Sequence, residues 1–235
     1  KPGSRRSSRA WRWAARSSPA TAVCAFLASR LVYRFRVHGD HHIPVEGAAV
    51  MVCNHVSFVD AVLLMAASPR PIRFVMDHRI FAMPVIGALF KLAKTIPIAP
   101  QKEKPEIYAA AFAEVDRVLA DGGLVCIFPE GAITRDGQLM PFKSGIMKIL
   151  ESRPVPVIPM ALQNLWGSYF SRVEKGAAMI RPFRRGLFSH VGLIVGEPMP
   201  PATVNLPVLQ ARVQALLVSD AVGLGDRASV ATAAV

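Results

Sequence analysis

The stretch AAVMVCNHVSFVDAVLLMAA, residues 48–67, predicts a β-strand, a polar turn and a helix in direct succession. Ala48–Cys53 is short, apolar and rich in valine, which is typical of a buried strand. Ala61–Ala67 is continuously apolar and predicts a helix. Further strand-like runs of the same kind occur along the chain at Ile72–Met76, Leu124–Phe128, Val155–Met160 and Val191–Val195.

Helical patterns lie between these strands. The clearest is Pro105–Ala120, in which apolar residues recur at intervals of three and four. Pro105 suits the first turn of a helix, and Gly122-Gly123 ends the pattern. Because strands that alternate with helices are typical of α/β proteins, we expect a single-domain αβ sandwich. Its sheet should be mixed but largely parallel and flanked by helices.

A second apolar stretch, Ile80–Pro100, predicts a helix with Lys91 and Lys94 near one edge. Such a helix could lie on a bilayer as a hydrophobic ramp, or it could be an ordinary buried helix. Periodicity does not distinguish a bilayer from a protein core, so both interpretations stay open.

The composition indicates membrane association without a spanning helix. The chain of 235 residues is 52% hydrophobic and has a mean hydropathy of +0.33. It nevertheless contains no uninterrupted run of about 18 apolar residues, the length that would predict a transmembrane helix.

The positive charge is concentrated near the N-terminus. The net charge is +12, and residues 1–42 hold nine Lys or Arg and one acidic residue, net +8, which leaves +4 for the other 193. Basic groups attract nucleic acid and anionic bilayers alike. Trp11 and Trp13 lie among the arginines and the apolar run Ala20–Leu27 follows, which favours an interfacial membrane helix over a nucleic-acid partner. A disordered tail is the alternative.

The cysteines and histidines do not predict a metal site. Cys24, Cys53 and Cys126 lie far apart without CxxC spacing, so we expect buried free thiols in a reducing compartment. The six histidines form no ligand cluster apart from the adjacent pair His41-His42.

The polar turn after the first strand carries His55 and, five residues later, Asp60. The C-terminal ends of strands are the usual place for a site in an open α/β sheet. A histidine can take a proton from a hydroxyl, and a carboxylate on its other ring nitrogen holds the tautomer. Five residues of regular helix correspond to about 500°, so the pair can meet only if His55 precedes the helix. Ser57 is then a candidate N-cap, and a capping motif without catalysis is the alternative.

A second polar cluster, residues 129–137, follows the strand Leu124–Phe128 and should share the same edge of the sheet. Downstream, a Lys-Ser-Gly turn at residues 143–145 precedes the helix-like segment Ile146–Leu150. This turn would offer backbone N–H groups and a lysine to an anion. Each cluster taken alone is a common turn.

Taken together, the motifs resemble those of the glycerolipid acyltransferases, the family of lysophospholipid (1-acylglycerol-3-phosphate) acyltransferases. NHVSFVD is similar to the family's N-H-x4-D motif, FPEGAIT to its F-P-E-G motif, and VPVIPMAL to its later V-P-hydrophobic-P block, in the same order. The resemblance covers about residues 35–200. FPEGAIT followed by GQLM is most similar to acyltransferase units fused to transporter or acyl-carrier-protein synthetase domains.

The resemblance implies an O-acyltransferase of phospholipid synthesis or remodelling. In this mechanism His55 removes the proton of the acceptor hydroxyl and Asp60 orients His55, while the acceptor attacks an acyl thioester without a covalent acyl-enzyme. Glu130 and Gly131 match family positions that bind the glycerol-phosphate portion. The other candidate substrate-binding residues, in or near the matched motifs, are Asn54, Ser57, Thr134, Arg135 and Lys143.

The resemblance also implies partners and a location. The acceptor would be a lysophospholipid among membrane lipids, and the acyl group would come from acyl-CoA or from acyl carrier protein, with no further cofactor. We expect the protein on the cytoplasmic face of the inner (plasma) membrane. We divide the chain into a basic amphipathic segment (1–34), an acyltransferase domain (35–200) and a partly disordered C-terminal extension (201–235).

The chain departs from the family at two positions. An arginine usually follows F-P-E-G to meet the acceptor phosphate, and here that residue is Ala132, with Arg135 and Lys143 as candidate substitutes. The family block between the first two motifs commonly ends in arginine, whereas TIPIAPQK offers Pro97 and Lys102. Both departures favour a lysophospholipid with a larger head group than lysophosphatidic acid, or an acceptor that is not a phospholipid.

Two other functions are compatible with the same residues. One is a thioester or lipid hydrolase that uses the dyad on water, although the absence of a G-x-S-x-G nucleophile elbow argues against a serine hydrolase. The other is a non-catalytic basic protein that binds membranes or nucleic acid. That protein would lose function with the N-terminal basic arm but not with His55→Ala.

Overall fold

Seven β-strands form one sheet in the computed structural model, which describes residues 33–82, 84–168 and 189–220. The strands are β1 Tyr33–His38, β2 Ala49–Cys53, β3 Ile72–Asp77, β4 Ile96–Ile98, β5 Leu124–Ile127, β6 Val157–Gln163 and β7 Ser189–Val195. The α-helices of these residues are α1 Asp60–Ala67, α2 Pro84–Leu92, α3 Pro105–Ala120, α4 Gly145–Ser152 and α5 Leu206–Val218.

The sheet is mixed and largely parallel, as predicted. Its strand order is β1-β7-β6-β2-β5-β3-β4, and all neighbouring strands are parallel except β6 and β7. β2 lies in the middle of the sheet, and all five of its residues are buried. Continuous burial of this kind is expected for a parallel strand that is covered on both faces.

Helices cover both faces of the sheet because successive side chains of each strand point to opposite sides. Met51 of β2 packs in the core of one face with Leu64 of α1 and Phe90 of α2. Val50, the preceding residue, packs in the core of the other face with side chains of α3, α4 and α5. The predicted single-domain αβ sandwich is therefore confirmed.

The five predicted strands and the helix Pro105–Ala120 are present, but two further strands were not predicted. β1, YRFRVH, alternates apolar with basic residues at one edge of the sheet, with Arg34 and Arg36 exposed. This alternation interrupts the apolar run by which the other strands were identified. β4 has three residues and contains Pro97, which the opposite edge of the sheet tolerates because an edge strand needs fewer N–H donors.

The helix predicted over Ile80–Pro100 is wrong in its extent. A 3-10 turn, His78–Ala82, precedes α2, which ends at Leu92, and β4 follows. Lys94 adopts a left-handed backbone with φ of 52°, which cannot continue a right-handed helix. Phe90 of α2 is buried whereas Leu92 is 59% exposed, so the C-terminal part of this helix has a buried side and an exposed side.

α5 lies within residues 201–235 and packs on the sheet. Asn205 caps its first turn by accepting a hydrogen bond from the N–H of Val208 at 2.9 Å. The side-chain amide of Gln163 donates to three carbonyls at the end of the helix. Leu209 and Val213 are fully buried. The folded core therefore extends past residue 200 through α5.

Several predictions fall on other parts of the chain. Residues 1–32 of the amphipathic segment, with Trp11, Trp13 and Cys24, and residues 221–235 of the C-terminal extension lie outside the described residues. Cys53 and Cys126 are buried free thiols, as predicted. None of the described helices combines the length and the apolar character needed to cross a membrane.

Candidate active site

The two polar clusters lie side by side at the carboxyl ends of neighbouring central strands. β2 and β5 are parallel neighbours, with Met51 opposite Cys126. The turn after β2 carries His55 and the turn after β5 carries Glu130. The common edge predicted for the two motifs is therefore confirmed.

His55 and Asp60 form a hydrogen-bonded pair. The Nδ1 atom of His55 lies 2.8 Å from Oδ2 of Asp60. The same oxygen accepts hydrogen bonds from the N–H groups of Val56 at 2.7 Å and Ser57 at 3.0 Å. His55 precedes α1, and Asp60 is the first residue of that helix, so the pair meets in the way that the spacing requires.

The first turn of α1 differs from the prediction that Ser57 is its N-cap. The capping position is Val59, which makes no side-chain cap, and the helix begins at Asp60. The reason is that the carboxylate of Asp60 folds back onto the N–H groups of the turn. A carboxylate in this position also interacts favourably with the helix dipole. Ser57 is 2% exposed and therefore lies under the turn.

Asp60 is completely buried. Its second oxygen, Oδ1, has no hydrogen-bond partner among the described residues. Burial, and next the nearby Asp60, raise the pKa of the Cys126 thiol, so this thiol stays neutral beside the carboxylate. Oδ2 is therefore the oxygen of Asp60 that contacts His55 and the two N–H groups.

The imidazole of His55 is held so that one nitrogen remains for a substrate. Its ring stacks on Phe128, with centroids 4.2 Å apart and planes at 16°, and its side chain is 15% exposed. An ionised carboxylate only accepts hydrogen bonds, so Nδ1 must carry the hydrogen and neutral His55 has its lone pair on Nε2. Nε2 is therefore the atom that can accept a proton from a hydroxyl.

Glu130 is buried between two backbone N–H groups. Its Oε1 atom accepts from the N–H of His55 at 2.7 Å, and Oε2 accepts from the N–H of Met140 at 2.8 Å. The residue is 3% exposed. Burial raises the pKa of its carboxyl, and the two backbone hydrogen bonds act in the opposite direction.

Thr134 and Asn54 also bond to the protein itself. The N–H of Thr134 donates to the carbonyl of His55 at 2.9 Å, and its hydroxyl donates to the carbonyl of Gln138 at 2.8 Å. The side-chain amide of Asn54 donates to the carbonyl of Leu162 and accepts from the N–H of Leu162. Both residues are buried, so their side chains support the site from within.

Gly131 and Lys143 lie against each other. Gly131 has a left-handed backbone with φ of 67°, and a Cβ atom there would lie 2.5 Å from Nζ of Lys143. Glycine suits this backbone conformation, and a Cβ atom here would require the lysine side chain to shift. Lys143 is exposed, as are Ala132 and Arg135 on the same loop. The lysine thus lies one residue from the position where the family has arginine.

Two aromatic contacts near the site were not predicted from the sequence. Phe128 stacks on His55 and also on Phe74 of β3, with centroids 6.4 Å apart. Gly137 packs so closely on Trp166 that a Cβ atom would lie 2.7 Å from its ring. An aromatic residue at the end of a strand was the available signal for Phe128, whereas no local signal marks the distant Trp166.

The described residues contain no group of three or more His, Cys, Asp or Glu side chains that could hold a metal ion.

Comparisons with known proteins agree with the motifs. A family described as Acyltransferase matches residues 34–163. A 1-acyl-sn-glycerol-3-phosphate acyltransferase from Cocos nucifera is 32% identical over 151 residues, 60% of this chain and 48% of that protein. One from Limnanthes douglasii is 30% identical over 148 residues, 63% of this chain and 50% of that protein. The chain spans about half the length of the curated relatives it matches.

A solved structure shares the fold. The crystal structure of PlsC, the 1-acyl-sn-glycerophosphate (LPA) acyltransferase from Thermotoga maritima, superposes with a TM-score of 0.66. The match covers 89% of this chain and 80% of that chain at 20% sequence identity. The family match extends over more than half of the sequence, and it contains both the His-Asp pair and the loop of Glu130. The chain therefore belongs to the acyltransferase family, as its motifs predicted.

Proposed function

We propose that the protein transfers a fatty acyl group from an acyl thioester to the free hydroxyl of a lysophospholipid. The observation that carries the proposal is the 2.8 Å contact between His55 Nδ1 and Asp60 Oδ2 at the edge of the sheet. This contact leaves Nε2 as the base. It also supplies a buried anion that stabilises the imidazolium once the proton has been accepted.

The reaction needs one base and no covalent enzyme intermediate. Nε2 of His55 takes the proton of the acceptor hydroxyl as its oxygen attacks the thioester carbonyl. The tetrahedral intermediate then collapses with cleavage of the carbon–sulfur bond, and the thiolate leaves with the proton from His55. Asp60 keeps its negative charge throughout and holds the ring in place.

The acceptor phosphate needs a cationic partner other than the family arginine, because Ala132 occupies that position. Lys143 supports this role, since its Nζ atom lies over Gly131 beside that position. Arg135 is exposed on the same loop and is the second candidate. A lysine binds phosphate as a point charge without the paired donors of arginine, which would suit a lysophospholipid with a larger head group.

The donor carrier and the location complete the proposal. Both coenzyme A and acyl carrier protein are acidic, and a protein with a net charge of +12 would attract either one. The basic, tryptophan-containing N-terminal sequence supports binding to an anionic bilayer, where lysophospholipids reside. We place the protein on the cytoplasmic face of the inner (plasma) membrane.

The test is acyl transfer from radiolabelled acyl-CoA and acyl-ACP to a panel of lysophospholipids in detergent micelles. We expect a labelled phospholipid with the wild type and a loss of about 10² to 10⁴-fold with His55→Ala. His38→Ala removes an exposed histidine of β1 and should leave the rate unchanged. Free fatty acid without phospholipid would indicate a hydrolase, and transfer that survives His55→Ala would contradict the proposed base.

The same assay tests the phosphate site. We expect Lys143→Ala to raise the KM for the lysophospholipid while kcat is retained, because the lysine binds the acceptor in the ground state and the transition state alike. An unchanged KM would exclude Lys143 as the phosphate ligand. Arg135→Ala would then test the second candidate by the same measurement.

A further inference from the structure

The main chain of His55 lies outside regular secondary structure. Residues 54–56 belong neither to β2 nor to α1, so the backbone N–H and carbonyl of His55 have no strand or helix partner. Buried backbone groups need a partner elsewhere. A base in such a turn would otherwise be free to shift by a change of backbone angles, and its side chain would shift with it.

The loop after β5 supplies both partners. Oε1 of Glu130 accepts from the N–H of His55 at 2.7 Å, and the N–H of Thr134 donates to the carbonyl of His55 at 2.9 Å. Phe128 of the same loop stacks on the imidazole. Both polar backbone groups and the ring of His55 are therefore fixed by residues that are about 75 positions away in the sequence.

The second oxygen of Glu130 extends this connection. Oε2 accepts from the N–H of Met140, ten residues further on, at 2.8 Å. One carboxylate thus joins the turn that carries His55 to Met140, near the far end of the loop after β5. The same loop carries Gly131 and Arg135. The hydrogen bond from Met140 therefore helps to hold the carboxylate that accepts from His55.

The same contacts argue against a direct role of Glu130 in binding the acceptor. Its side chain is 3% exposed, and each oxygen already accepts a short hydrogen bond. A carboxylate would also repel the acceptor phosphate. We propose that Glu130 is a positioning residue, which fixes the main chain of His55 for catalysis and does not bind the lysophospholipid.

This inference rests on the proposed function, and it predicts a specific division of kinetic effects. A displacement of the base by about 1 Å costs on the order of 10²-fold in rate. A residue that only positions the base should lower kcat without changing the KM for the acceptor, whereas a ligand of the acceptor should raise KM.

Two substitutions of Glu130 and one control test whether kcat falls while the KM for the acceptor stays unchanged. Glu130→Gln keeps the shape but turns one acceptor into a donor that opposes an N–H group, and Glu130→Asp keeps the charge but is too short to span both N–H groups. We expect kcat to fall about 10²-fold in both, with the KM for lysophospholipid changed by less than about threefold. Glu151→Gln makes the same change at an exposed carboxylate of α4, outside the loop of Glu130, and it should leave kcat unchanged.

A second readout does not depend on turnover. Imidazole ¹⁵N NMR reports which nitrogen of His55 carries the hydrogen, and His55→Gln identifies its signals by subtraction. We expect the Nδ1–H form to dominate in the wild type and in Glu151→Gln, and to be lost or averaged in Glu130→Gln. Thermal unfolding of each variant shows that the comparison is made on folded protein, and Glu130→Asp serves if Glu130→Gln does not fold.

The outcomes separate the two proposals. An unchanged kcat with a tenfold higher KM and an unaltered His55 spectrum would overturn the positioning role and leave the acyl-transfer function in place. A wild-type protein that transfers no acyl group would overturn the proposed function. In that case the NMR comparison alone decides whether Glu130 fixes His55.

Discussion

Asp60→Asn tests the electrostatic part of the mechanism with the smallest change of shape. The carboxylate is fully buried and bonds to His55 at 2.8 Å. Two unit charges about 4 Å apart interact by about 4 kcal/mol at an effective dielectric constant of about 20. If this attraction is lost when the imidazolium forms, kcat should fall by about 10³-fold, since about 1.4 kcal/mol corresponds to a factor of ten.

The substitution Asp60→Asn should also lower the stability of the protein. The Oδ1 atom of Asp60 has no hydrogen-bond partner among the described residues, and an amide NH₂ in its place would be a buried donor without an acceptor. Such a group costs about 1–3 kcal/mol in the free energy of unfolding.

The assay compares kcat for acyl transfer and the urea unfolding curve of Asp60→Asn with those of the wild type. Asp121→Asn is the matched control, because that carboxylate is 69% exposed at the C-cap of α3. A folded Asp60→Asn protein that retains kcat within tenfold of the wild type would refute the electrostatic role.

Three further predictions follow from the same site. Gly131→Ala should lower the free energy of unfolding by about 1–2 kcal/mol, because φ is 67°, and it should raise the acceptor KM by displacing Lys143; urea unfolding and acyl-transfer kinetics measure the two effects. Asn54→Ala should cost about 1–3 kcal/mol, since the buried N–H and carbonyl of Leu162 lose their partner, and an unfolding curve equal to the wild type would contradict this. Burial raises the pKa of Glu130, so the folded state holds its proton more tightly than the unfolded state does. The free energy of unfolding of the wild type relative to Glu130→Gln should then fall as pH rises from about 4 through the folded pKa, and an opposite slope between about pH 4 and 7 would contradict the cause.

The local sequence predicted the elements that carry the site. Continuous apolar runs identified β2 and β5 because both are buried on two faces, and the three-to-four spacing of Pro105–Ala120 identified α3 to the residue. The same reasoning failed where the local signal was mixed. β1 alternates basic and apolar residues, and the apolar stretch after β3 is divided by the left-handed backbone of Lys94 into a helix and a short edge strand.

Within the site, spacing showed that His55 can meet Asp60 only if it lies ahead of the helix, and the structure has this arrangement. It could not determine what Glu130 contacts. The family motif indicated an acceptor-binding residue, whereas the carboxylate is buried between the N–H groups of His55 and Met140. Likewise the candidate substrate-binding residue Asn54 bonds to Leu162, 108 positions along the chain.

The sequence by itself determined the alternation of strands and helices, the order of the motifs and the pairing of His55 with Asp60. All of these depend on side-chain periodicity and backbone geometry within about ten residues. Only the tertiary structure decided which strands are neighbours, that Lys143 lies across Gly131, and that Glu130 holds the backbone of His55. These contacts depend on how the sheet brings separate turns to one edge, which no local spacing specifies.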